Sequence, residues 1–116
     1  MTVFEQEQKA RLEQVDERTR ELIDQGFTFD GSLFPCTESD QLKYLSLKSL
    51  SQEFTWPVTL SLFVGEYVLQ LSNLESFILT ALAFVQGYKD SGRALRIEIQ
   101  QATNLSQLRD IVDTRS

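Results

Sequence analysis

The side chains best suited to chemistry in this chain are one thiol, Cys36, which follows Pro35, and seventeen carboxylates; there is no histidine. A thiol becomes a nucleophile when a nearby base or cation lowers its pKa, and serine and cysteine triads move their proton through an imidazole. Cys36 has no evident partner of either kind, so nucleophilic catalysis is not expected. The carboxylates are spread along helical patterns among arginines and lysines, which makes them solvated charges rather than a desolvated acid–base pair, and Asp110 and Asp113 near the C-terminus belong with them. Gly87 and Gly92 are followed by no Lys-Ser or Lys-Thr pair of a phosphate loop. The stretch from Asp24 to Ser32 lacks the alternating oxygen ligands of a calcium loop. The expectation is a non-enzyme with no cofactor, no metal and no small-molecule substrate.

Cys36 as the only cysteine excludes an internal disulfide. Two readings stay open for it: a semi-buried thiol, or an intermolecular disulfide to another chain once the protein has left the cytosol. The net charge of -6, with no basic cluster beside exposed aromatics, argues against a nucleic-acid partner. No apolar run approaches the roughly 20 residues of a bilayer span, and Met1-Thr-Val-Phe-Glu-Gln-Glu lacks the basic start of a signal peptide, so no membrane partner is expected and the chain is read as cytosolic when made.

The elements that would position these groups can be read from periodicity. From Thr2 to Gln25 the charge pairs Glu5-Lys9, Glu7-Arg11 and Asp16-Arg20 fall at helical spacing, and Leu12, Val15, Thr19 and Leu22 draw a narrow apolar stripe. This predicts an N-terminal helical arm, residues 1–25, that either meets a partner helix or rests on its own domain; Gly26 ends it. Phe27-Thr-Phe-Asp-Gly-Ser-Leu-Phe34 predicts a hairpin turning at Asp30-Gly31, and Thr37 or Ser39 caps a helix to about Glu53, with Leu42, Leu45, Leu50 and Phe54 available for burial and Tyr44 and Leu47 extending that face. A second hairpin is expected from Trp56 to Leu71 around Val64-Gly65-Glu66.

Ser72-Asn-Leu-Glu75 has the capping-box pattern for a long helix. Leu74, Ile78, Ala81, Val85, Tyr88, Gly92, Leu95, Ile99 and Ala102 then form a heptad seam, widened by Phe77, Leu82 and Phe84. Gly87 and Gly92 predict a bend or break around Tyr88-Lys-Asp-Ser-Gly92; alternatively, Gly92 lets another backbone come close. Asn104-Leu-Ser-Gln107 starts a short terminal helix; the same residues match a glycosylation acceptor, but capping is the better reading of a chain without a secretion signal. With 116 residues, the chain should form one domain, 26–116, beyond the arm. Its class is α+β, mainly helical, with two short β-hairpins, one long heptad-patterned helix and a short C-terminal helix.

This order of elements resembles a small domain, of unknown function, found in phage tail-fibre and tail-fibre-assembly proteins. The likeness is carried by Phe27–Phe34, Gln41-Leu42, Trp56-Pro57-Val58, Gly65-Glu66 with the strand into Leu71, and Ile97-Glu-Ile-Gln-Gln-Ala-Thr-Asn-Leu-Ser-Gln-Leu108, together spanning about Gly26 to Asp113. The chain departs from the family where Val85-Gln86-Gly87-Tyr88 stands in place of a habitual histidine. The resemblance implies a tail-fibre assembly chaperone that binds the fibre protein and aids its folding or trimerisation in the host cytoplasm. The alternative is a fibre-attachment or baseplate adaptor retained in the virion tail, with Cys36 as a tether. On either reading the surfaces expected to meet a tail-fibre protein or a second copy are the arm, through Leu12, Val15 and Leu22, and the second half of the seam, through Tyr88, Leu95 and Ile99.

Overall fold

The computed structural model describes residues Met1 to Ser116. The chain is α+β and mainly helical: α1 (Val3–Asp24), β1 (Phe27–Phe29), β2 (Ser32–Phe34), α2 (Glu38–Ser49), β3 (Val58–Ser61), β4 (Glu66–Leu69), α3 (Leu74–Gln101) and α4 (Leu105–Asp110). Its contacts divide it into two compact units, one of Met1–Leu22 with Gly87–Ser116 and the other of Ile23–Gln86. The division differs from the boundary expected near Gln25-Gly26, because α1 is packed among the C-terminal elements rather than standing apart as an arm.

In the hairpin unit, Ile23–Gln86, Asp30 and Gly31 both adopt positive φ, the geometry a two-residue hairpin turn requires, and Phe27 pairs with Phe34 across β1 and β2. Period-two alternation sends Phe27 and Phe34 inward and Thr28 and Leu33 outward. Phe77 of α3 inserts its ring among Phe27, Phe29, Phe34 and Tyr44, with centroids 4.9–5.6 Å away. The second hairpin adds Leu60 and Leu69, both fully buried, and its Tyr67 hydroxyl donates to the Asp30 carboxylate at 2.8 Å, tying β4 to the first turn. Helix α2 opens on a complete capping box between Thr37 and Asp40. The expected box at Ser72 does not form: a 3-10 turn over Leu71–Asn73, without a side-chain cap, leads into α3.

In the helical unit, α1, the second part of α3 and α4 enclose a core of Val15, Ile99 and Leu108, with Phe4, Leu12, Leu95, Ala102 and Ile111 packed against it. The residues following α4 are held by hydrogen bonds rather than by secondary structure. Arg11 Nη1 donates to the Ile111 carbonyl, Arg18 Nη2 to the Arg115 carbonyl, and the Tyr88 hydroxyl to the Ser116 carbonyl. Asn104 caps α4 by accepting from the Gln107 backbone N–H at 2.9 Å.

Helix α3 passes Gly87 and Gly92 without interruption, so the expected break is absent. The two glycines differ in what surrounds them. A Cβ at Gly87 would meet nothing, whereas one at Gly92 would lie 2.5 Å from Thr19 Oγ1 and 3.1 Å from Arg115 Nη1. Gly92 therefore permits the close approach of α1 that its position in the seam suggested. Gly87→Ala is expected to raise stability by about 0.5–1 kcal/mol through helix propensity, and Gly92→Ala to lower it by about 1–3 kcal/mol through overpacking. Thermal unfolding of the two variants checks the opposite signs.

Candidate functional site

Of the residues expected to meet a partner, Val15, Leu22 and Ile99 are buried inside the chain. Leu12 and Leu95 are half-buried against the Val15–Ile99–Leu108 core. Tyr88 is half-buried, and its carbonyl accepts from Arg115 and Ser91. The burial of Val15, Leu22 and Ile99 corrects their reading as partner-facing residues: Leu12 and Val15 of the α1 stripe meet the second half of α3 and α4 of the same chain. Burial there satisfies the same apolar area that an external helix would have covered.

Cys36 is also corrected as a tether. Its side chain is fully buried, and burial, reinforced by the Asp40 and Asp24 carboxylates, pushes the thiol up to about 11. With that value, about one thiol in a thousand is ionised at pH 8, and disulfide exchange requires both thiolate and access. The expected result is that a maleimide reagent labels Cys36 only after denaturant is added, and that the band on a gel is the same with and without reductant. Rapid labelling of the folded chain would contradict this burial.

Unspent apolar surface lies instead on the hairpin unit. Leu33, Leu42, Leu45, Leu50, Phe54, Phe63, Val64, Val68, Leu71, Leu79 and Leu82 are exposed there, against Met1, Val3, Ile97 and Val112 in the helical unit. Helix α2 contributes to this because it carries two apolar faces. Tyr44 and Leu47 are the buried pair, while Leu42 and Leu45 face outward, as do Leu50 and Phe54 just beyond the helix, the reverse of the order expected from spacing. The rotation is set by anchors outside the leucine pattern. The Tyr44 hydroxyl donates to the Pro35 carbonyl at 2.6 Å while its ring stands edge-on to Phe77 at 4.9 Å, and the Gln41 amide donates to the Cys36 carbonyl at 3.0 Å.

Between α2 and the first half of α3 this leaves an apolar groove of about 50 Å³, lined by Gln41, Tyr44, Leu45, Ile78, Ala81, Leu82 and Val85. Small-molecule sites usually span about 300–1,000 Å³, so this groove suits one or two apolar side chains of another polypeptide rather than a whole ligand. Leu45 and Leu82, its two rims, are 44% and 45% exposed. Ile78, Ala81 and Val85 form its floor, so the first half of the heptad seam serves both the core and this groove. The clue available in the sequence was the surplus itself: α2 has more apolar positions than one helical face can bury.

No helix is long and apolar enough to cross a membrane, and no three histidine, cysteine or carboxylate side chains come together where a metal ion could be held. No family model, curated protein or solved structure matches the chain.

Proposed function

We propose that this chain acts by protein–protein contact, as a tail-fibre assembly chaperone that binds the fibre polypeptide through the α2–α3 groove and aids its folding or trimerisation. The observation that carries the reading is the exposure of Leu45 and Leu82 at a preformed apolar groove, in the unit that holds most of the exposed large apolar side chains, while Leu12 and Val15 of α1 are already packed within the chain. Exposed apolar side chains around a groove cost solubility unless something covers them for part of the protein's life. A chaperone's client does that transiently. The resemblance of Phe27–Phe34, Trp56-Pro57-Val58 and Ile97–Leu108 to tail-associated domains supports a tail-fibre polypeptide as the client. The burial of Cys36 weighs against the covalent tether that the virion-component reading could have used.

The experiment is co-expression with the tail-fibre polypeptide, scored by soluble fibre yield and co-purification. Leu45→Glu with Leu82→Glu places charge in the contact at exposed positions, so fibre yield should fall at least tenfold while stability changes by no more than about 0.5 kcal/mol. Unchanged co-purification would remove the groove from the model. Purified virions supply the other arm: a chaperone is absent or substoichiometric, whereas stoichiometric retention would establish the adaptor reading instead.

A further inference from the structure

We infer that the occupant of the α2–α3 groove is a basic amphipathic helix, with a short row of leucine-like anchors flanked by lysine or arginine. The inference rests on the reading of that groove as the protein-binding site and adds the chemistry of the partner. Its basis is the unequal distribution of charge. The hairpin unit carries Asp24, Asp30, Glu38, Asp40, Glu53, Glu66 and Glu75 against only Lys43 and Lys48, so nearly all of the chain's net charge of -6 resides there. Every arginine and every ion pair belongs to the helical unit. The acidic side chains of the hairpin unit are therefore not neutralised by cations of their own unit.

Glu38 stands one helical turn before the lining residue Gln41, and Glu75 one turn before Ile78, so both helices contribute an exposed carboxylate close in sequence to the groove. Asp40 lies beside Gln41 but is engaged in the Thr37 cap, and Lys43 and Lys48 are the cations on the same helix. The balance over the unit is strongly negative. A small unit adds its charges over the roughly 8 Å screening length of physiological salt, attracting a cationic segment and repelling an anionic one. A cleft between two helices accepts a third helix through anchors spaced at i, i+3, i+4 and i+7, and the volume of about 50 Å³ takes one or two of those anchors. A symmetric dimer through this face would press two such acidic units together, so a second copy is the poorer occupant.

The test uses the full chain and three synthetic amphipathic peptides that share one leucine row and differ only in flanks of lysine, glutamine or glutamate, with affinity read by fluorescence anisotropy. The lysine-flanked peptide should bind at least tenfold tighter than the glutamate-flanked one, the gap should shrink at about 0.5 M salt, and Leu82→Glu should abolish binding of the lysine-flanked peptide. Glu38→Gln with Glu75→Gln leaves the apolar lining intact and should reduce the lysine preference at least threefold. Binding of all three peptides with equal affinity, lost in Leu82→Glu, would overturn the basic partner while leaving the groove reading in place. Binding of none would overturn both. Sedimentation showing a dimer of the free chain that Leu82→Glu dissolves would also overturn the inference, since a second copy would then be the occupant.

Discussion

Replacing Phe77 with alanine is expected to remove about 3–5 kcal/mol from the unfolding free energy, a large share of what a domain of this size possesses. The side chain is fully buried and is the common neighbour of Phe27, Phe29, Phe34 and Tyr44. Its removal takes away the transfer energy of a benzyl group and leaves a cavity walled by rings that belong to the first hairpin and to α2. Such walls cannot collapse together, since β1 and β2 are fixed by their register and Tyr44 by its bond to the Pro35 carbonyl. Phe77→Leu, which keeps most of the volume, should cost well under half as much. Urea unfolding followed by near-ultraviolet circular dichroism reads both, and a loss below about 1 kcal/mol for the alanine variant would show that the ring cluster is not the structural centre of the hairpin unit.

The second large effect is expected at Arg115. Its guanidinium donates to the Asp113 carboxylate at 2.7 and 2.9 Å, to Thr19 Oγ1 at 2.9 Å, to Ser91 Oγ at 3.2 Å, and to the Val15 and Tyr88 carbonyls at 3.2 and 3.3 Å. One side chain near the C-terminus thus stitches α1, α3 and the tail of the helical unit together. The group is 11% exposed, so water cannot take over most of these bonds. Arg115→Ala leaves several acceptors unpaired and Asp113 without its counter-ion, at an expected cost of about 2–4 kcal/mol. Arg115→Lys should recover less than half, because a single ammonium cannot reproduce the planar fork.

This contact also predicts a pH dependence. The Arg115 hydrogen bond, with its charge, holds the Asp113 carboxyl below the usual carboxylate value of about 4. In acid the unfolded chain therefore takes up this proton before the folded one does. The stabilisation is complete above the ordinary value and is lost as pH falls through the lower folded one. The stability difference between the wild type and Arg115→Ala should accordingly be constant near neutrality and shrink below about pH 4. A difference that persisted unchanged into acid would separate Arg115 from Asp113 and assign its effect to the hydroxyl and carbonyl contacts alone.

Local signals in the chain located most of the elements. Asp30-Gly31 specified the first turn because few residues other than glycine and the short polar side chains tolerate positive φ, and both residues adopt it. The Thr37–Asp40 box and the Asn104 cap are likewise settled within four residues, where a side-chain oxygen reaches a free backbone N–H. Ser72 shows the limit of such signals. The pattern is correct, but the 3-10 turn from Leu71 to Asn73 takes the place of the side-chain cap.

Which apolar face meets which neighbour could not be read in the same way. The heptad seam of α3 is legible as a stripe, yet its first half joins an aromatic core and borders a groove while its second half meets α1 and α4. On α2 the leucines suggested one rotation and Tyr44 imposed another, because a buried hydroxyl must find an acceptor and the Pro35 carbonyl was the one within reach. Periodicity reports that a helix has something to bury. The partner is chosen by shape and by hydrogen bonds between residues far apart in the chain, as in the Arg115 contacts to Thr19 and Val15, and those distances exist only once the chain has folded.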